Sequence, residues 1–165
     1  MPNDVYRAID AVLVLSIDDK NAPEGKAADD LVSQYGLSNT VGRLRNVTIS
    51  VTSDLRPYYE IGTRYPTHLR PGTIQTTGTI ERAHINGALL RLLLGDGATS
   101  PPAAGFVQPS FNIISTLKNA AIPDQQTRVI VFGARFSNWT YNIPADDFVM
   151  ESVAFQALRV SFEES

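Results

Sequence analysis

The sequence predicts a mostly β domain: a β-sandwich or open β-barrel of about seven strands with one short α-helix at about residues 86–94. Three observations predict it. Two segments alternate strictly between apolar and hydroxyl-bearing residues, the C-terminal third is a long β run that changes phase, and a single stretch carries a strong helical stripe. The 165 residues are read as one domain, 1–165, long enough to bury a core.

Composition narrows the classes. The hydrophobic share of 43% is too high for a disordered chain. A net charge of −3 does not suit a protein that grips nucleic acid, which needs clustered cations to displace counterions. There is no Cys, which excludes disulfides and thiolate metal sites. The longest apolar run, Ala11 to Ile17, is too short to span a bilayer and has no basic flank or cleavage site. The chain is therefore expected to be soluble and made in a cytosol, so the sequons at Asn46 and Asn138 are read as chance.

Residues Tyr6 to Ile17 are rich in β-formers and predict a first strand. "DDKNAPEGKAADDLVSQYG" carries Pro, Gly and charges, and predicts a loop with one helical turn over Ala27–Gln34. In "RNVTISVTSD", Val47, Ile49 and Val51 share one face, opposite Asn46, Thr48, Ser50 and Thr52. "TIQTTGTIER" repeats the pattern: Ile74, Thr76, Gly78 and Ile80 alternate with Thr73, Gln75, Thr77, Thr79 and Glu81. Each segment predicts a strand with one face on a core and one in water, and the two are expected to pair as a hairpin.

Between them lies "LRPYYEIGTRYPTHLRPG", read as a loop over 55–72, far longer than the usual hairpin connection of about 2–5 residues. It holds Arg56, Tyr58, Tyr59, Arg64, Tyr65 and Arg70. Tyr and Arg are the residue types that anchor protein interfaces, so these six are candidate contacts between subunits.

"INGALLRLLLGDG" predicts the helix. Asn86 can act as N-cap, Ile85, Leu89, Leu92 and Leu93 form the stripe, Leu90 and Leu94 widen it, and Gly95 suits the C-terminal cap. Gly95-Asp96-Gly97 lies at the helix end, whereas phosphate loops open a helix.

"FNIISTLKN" predicts a further strand. In "RVIVFGARFSNWTYNI", Ile130, Phe132 and Phe136 share one phase and Trp139, Tyr141 and Ile143 the other, which predicts a bulge near Ser137–Asn138. In the last strand Val153 and Phe155 precede a second set, Leu158, Val160 and Phe162, which predicts a bulge near Gln156–Ala157 that turns both sets to one core.

Asp146, Asp147 and Glu151 invite a metal or acid–base reading, but hard cations want about six or more oxygens, and His68 and His84 are isolated in sequence. No Ser-His-Asp set or Gly-x-Ser-x-Gly elbow is present. The stretch is read instead as a structural corner. Pro144 stops a strand, Asp146 and Asp147 bond nearby backbone N–H groups, and Phe148 and Met150 anchor it on the core beside Trp139. The chain is expected to be no enzyme and to use no cofactor or metal.

"RVIVFGARFSNWTYNIPADDFVMESVAFQALRV" resembles the C-terminal part of tail tube proteins of tailed bacteriophages: an aromatic, polar and Trp-containing β run, a Pro-acid corner, then a strand ending F-x-A-L-R-V. "GTIQTTGTIERAHINGALLRLLLG" is similar to their central segment, a polar strand leading into a Leu-rich helix. The resemblance implies a structural virion subunit. It would be assembled in the host bacterial cytoplasm into stacked hexameric rings, with sheath, tape measure or baseplate proteins as partners and DNA passing transiently through the bore. A bore for DNA should lack dense cations, so Asn46, Thr48, Ser50, Thr52, Thr73, Gln75, Thr77, Thr79 and Glu81 become candidate lumen-facing residues. The inner tube of a contractile injection or secretion machine fits the same pattern, and a monomeric ligand-binding β-barrel fits it less well.

Overall fold

The computed structural model describes residues 6–7, 11–17, 19–38, 41–42, 44–99, 101, 107–119 and 122–164. The elements run β1 (Ala11–Ser16), α1 (Pro23–Tyr35), β2 (Leu44–Tyr58), β3 (His68–Ala83), α2 (Ala88–Leu94), a 3₁₀ turn (Gly95–Ala98), β4 (Phe111–Asn119), β5 (Ile122–Asn142), β6 (Met150–Ala157) and β7 (Arg159–Glu164). One antiparallel sheet, in the order β1-β4-β5-β6-β3-β2, curls into a half-barrel, with β7 paired to β5 beside that path. Of the two architectures expected, the open barrel is realised, with two short helices rather than one.

The 21-residue β5 is the spine. Its first half pairs with β4 and β7, and its second half with β6. Two irregularities let it do both. At Gly133 (φ 64°) the pairing with β4 shifts between Phe111 and Ile113, and the Gly133 N–H donates to Asn112 Oδ1 at 3.2 Å. A second shift falls between Phe136 and Asn138, where the change of phase predicts it. The Gly133 bend alters the first phase, so Val131 faces the core while Ile130 and Phe132 are half-buried. The slip expected near Gln156–Ala157 is a strand break one residue on. The Leu158 N–H donates to the Phe132 carbonyl, β7 then pairs with the other half of β5, and Leu158 and Phe162 are exposed rather than in the core.

The first strand is shorter than predicted: Tyr6 and Arg7 lie outside it, and residues 8–10 fall outside the described set. The segment expected to be a loop with one turn is the 13-residue α1. Pro23, read as a breaker, stands at the helix start, where a missing N–H costs nothing and the fixed φ is already helical. Gly25, Ala28 and Val32 form its buried face, and Gly36 (φ 65°) closes it. In α2, Gly87 is the N-cap, while Asn86 accepts the Ala88 N–H on Oδ1 at 3.1 Å. Ala88, Leu89 and Leu92 are buried there, whereas Ile85 is exposed. With Leu13, Leu15, Ile80, Phe111, Ile113, Phe136, Val153 and Phe155 they make one core.

β2 and β3 pair as the expected hairpin, with Val47 opposite Ile80, Ile49 opposite Gly78 and Val51 opposite Thr76. A side chain at Gly78 would collide with the Thr48 carbonyl oxygen and the Phe155 ring. Gly78→Ala is therefore expected to lower stability by about 1–3 kcal/mol, the usual cost of overpacking. Chemical denaturation checks this, and an unchanged midpoint would contradict the packing described here.

Candidate functional site: a polar sheet face and a projecting arm

β2 and β3 do not end where β3 leaves β6. The β3–β6 ladder stops at Thr76–Ala157, yet β2 and β3 stay paired through Leu55–Pro71, Arg56–Arg70, Pro57–Leu69 and Tyr58–His68. The segment read as a loop over 55–72 is thus half paired strand, 55–58 with 68–72, and the true connection is 59–67. The sequence misled because Pro57, Pro71 and Gly72 look like loop residues. On a two-stranded arm with no further neighbours, Pro is tolerated, since no third strand requires its N–H.

Every residue from 51 to 75 is exposed. The arm carries Val51, Leu55, Tyr58, Tyr59, Ile61, Tyr65, Leu69 and Ile74 into solvent, together with Arg56, Arg64 and Arg70. Isolated two-stranded ribbons are marginal in water, and this one leaves its apolar side chains without a partner in the single copy. The six candidate contact residues all lie on this arm.

The second feature is a continuous polar face. On β2 and β3, Asn46 lies opposite Glu81, Thr48 opposite Thr79, Ser50 opposite Thr77 and Thr52 opposite Gln75. Register carries the face onto β6, where Thr77, Thr79 and Glu81 meet Gln156, Ala154 and Ser152, and onto β5 at Arg135, Asn138 and Thr140. Thr73 lies just beyond it, at the register shift between Ser53–Ile74 and Leu55–Pro71. Glu81 and Arg135 are its only charges among these residues, one of each sign.

The acidic corner divides into two parts. Asp146 and Asp147 are exposed, and Asp147 Oδ1 accepts the Phe148 N–H at 2.7 Å. Phe148 does not anchor the corner on the core, being 79% exposed. Glu151, by contrast, is buried with Arg82. Arg82 Nε donates to Glu151 Oε1 at 2.6 Å, Nη1 to the Val41 carbonyl at 2.6 Å and Nη2 to Asn86 Oδ1 at 3.0 Å. Glu151 Oε2 accepts Trp139 Nε1–H at 3.0 Å and lies 3.2 Å from His84 Nδ1. Trp139 is half-buried against the core and stacks on Tyr141, with ring centroids 5.4 Å apart. The network joins β3, β5, β6, the start of α2 and the segment before β2, so its role is to hold elements together.

Sequence reasoning missed this network and read His84 as isolated, although a signal was present. Extending the even phase of β3 by one step places Arg82 on the core face, and the odd phase of β6 places Glu151 there. Trp139→Phe is expected to cost about 1.5–3 kcal/mol, the range for a bond to a charged group. Urea unfolding measures it, and a loss under about 0.5 kcal/mol would contradict the bond.

Among the described residues, no group of three or more His, Cys, Asp or Glu is placed to hold a metal ion, and no helix is long and apolar enough to cross a membrane.

No family model matches the chain, and no curated protein matches it. Solved structures do. A chain of the anti-feeding prophage tube-terminating cap is 10% identical with a TM-score of 0.66, over 100% of this chain and 95% of that one. A chain of the SPP1 tail tube is 13% identical with a TM-score of 0.54, over 98% and 80%. The Hcp protein is 11% identical with a TM-score of 0.51, over 93% and 91%. The chain has the tail-tube and Hcp-like fold. The resemblance seen in the C-terminal and central segments therefore extends, as a fold, along almost the whole chain.

Proposed function

We propose that this chain is a structural, non-enzymatic subunit of a phage tail tube, assembling into stacked hexameric rings around a conduit for DNA. The observation that carries the reading is the arm, a stretch of 25 residues, 51–75, with every residue exposed and eight large apolar side chains among them. A lone copy leaves that surface in water, and self-assembly covers it. Arg56, Tyr58, Tyr59, Arg64, Tyr65 and Arg70 are the proposed contacts.

The polar face is the proposed lumen wall. Four strands per copy, β2, β3, β6 and the second half of β5, give about 24 strands in a six-membered ring. At about 4.8 Å per strand such a sheet closes at roughly 37 Å across before strand tilt widens it. Hydroxyl and amide side chains on that wall would let phosphates pass without the counterion-release affinity that clustered Lys and Arg create. Ring closure would also cover the exposed edge of β2.

The same features suit the inner tube of a contractile injection machine, a reading favoured by the likeness to a chain of the sheath–tube complex of an extracellular contractile injection system (TM-score 0.58, 16% identity). In either setting the partners would be further copies and sheath, tape measure or baseplate proteins, and the location the tail of a particle assembled in a bacterial cytoplasm. Size-exclusion chromatography with electron microscopy tests the proposal. Rings or tubes are expected, and a sole 18.0 kDa species at high concentration with no polymer in images would overturn it.

A further inference from the structure

We propose that the arm of one copy docks on the 143–149 corner of a second copy stacked at its end, with Arg56 and Arg70 receiving Asp146 and Asp147. The inference rests on the tube reading and adds to it the two surfaces that hold one ring to the next.

β3 enters the four-stranded body at Thr76, beside Ala157, and leaves it at Ala83, beside Met150. The arm extends from the Thr76 end. The corner joins Asn142 to Met150, themselves paired, and so lies at the Ala83 end. Two surfaces at opposite ends of the same strands cannot meet within one copy, and between copies they meet head to tail. Such a heterologous contact, running along the strand direction, generates an open stack wherever its rotation does not close a ring. The arm strand from His68 to Gln75 projects roughly 27 Å, about the height of the Thr76–Ala83 body, so its flank as well as its tip can reach the next copy.

Arg56 and Arg70 are direct cross-strand partners on the arm, an unfavourable placement for like charges. Asp54 approaches Arg56 Nε at 3.3 Å, an exposed carboxylate against one of the two arginines. An acidic partner relieves the repulsion. The corner offers Asp146 and Asp147, with no basic residue anywhere in 143–149. Its apolar side chains match as well. Phe148 is 79% and Ile143 66% exposed, and Tyr58, on the same face of the arm as Arg56 and Arg70, stands in solvent.

The chain has no cysteine, which makes cross-linking clean. Arg70→Cys and Asp147→Cys are placed together in one chain, tubes are assembled, and they are oxidised. The double variant is expected to give a ladder of covalent multimers on a non-reducing gel, and each single variant no more than dimers. Dimers or monomers alone from a double variant with intact tubes would overturn the inference. Charge reversal gives a second reading. Asp146→Lys with Asp147→Lys is expected to shorten tubes by about tenfold or more, like-charge contacts being strongly disfavoured. Adding Arg56→Glu and Arg70→Glu is expected to restore length. Normal tubes from the lysine variant, or no restoration in the combined one, would overturn the docking while leaving the tube reading intact. A wild-type chain that never polymerises would overturn the tube reading itself. If the lysine variant does not fold, the cross-linking ladder decides.

Discussion

Arg82→Met is expected to lower the unfolding free energy by about 3–5 kcal/mol, the range for removing one partner of a buried ion pair. The Glu151 side chain is 0% exposed, so it cannot recover hydration when the guanidinium is lost. It would keep only the Trp139 Nε1–H and the nearby His84 imidazole. The Val41 carbonyl and the Asn86 side chain would lose donors in the same step, loosening the approach to β2 and the start of α2. The cost comes from stranding a charge rather than from losing a large attraction. The double variant Arg82→Met with Glu151→Leu is therefore expected to regain at least half of the loss, since an apolar pair of similar volume has no charge to satisfy. Guanidinium unfolding of the three proteins measures both effects. A loss below about 1 kcal/mol for Arg82→Met, or a double variant no better than the single, would contradict the network described.

Replacing residues 55–72 with a short Gly-containing turn is expected to abolish polymers while leaving the half-barrel folded. The arm lies wholly outside the core, and the β3–β6 ladder that fixes the register begins only at Thr76. Shortening the connection also lowers the entropy lost on closing it, so stability should hold or rise slightly. Assembly should respond in the opposite sense. Exposed Tyr and Arg side chains contribute up to about 2 kcal/mol or more each once buried at an interface, and the contact recurs in every copy. Circular dichroism beside electron microscopy separates the outcomes. A native-like spectrum with monomers is expected. Tubes of normal length would remove the arm from assembly, and an unfolded spectrum would make it part of the core.

The sheet was legible wherever side chains alternate without interruption. Val47 to Ile49 and Thr76 to Ile80 give their faces and their pairing, because the wrong phase would turn every apolar side chain outward, whereas Val51 and Ile74, expected on the core face, stand in solvent where the sheet runs out into the arm. The bulge beside Ser137 was legible for the same reason, as a change of phase. The Gly133 bend was not: one glycine within a β run does not state which way the chain turns, and the core side of Val131 depends on it. α1 was missed because two of its three buried residues, Gly25 and Ala28, are small and leave Val32 with little periodic signal around it. The arm was read as a loop because proline and glycine occur at two-stranded ribbons as well as at turns. The buried Arg82–Glu151 pair was hidden by the expectation that charges face water, although alternation had already placed both on the core side.

The most direct measurement of the central claim is a cryo-electron microscopy reconstruction of the polymer formed by the purified chain. The account predicts a hollow tube of stacked six-membered rings in which Thr48, Ser50, Thr77 and Thr79 line the bore and the arm crosses to a neighbouring ring. A chain that stays monomeric, or a polymer in which those four residues face outward, would contradict it.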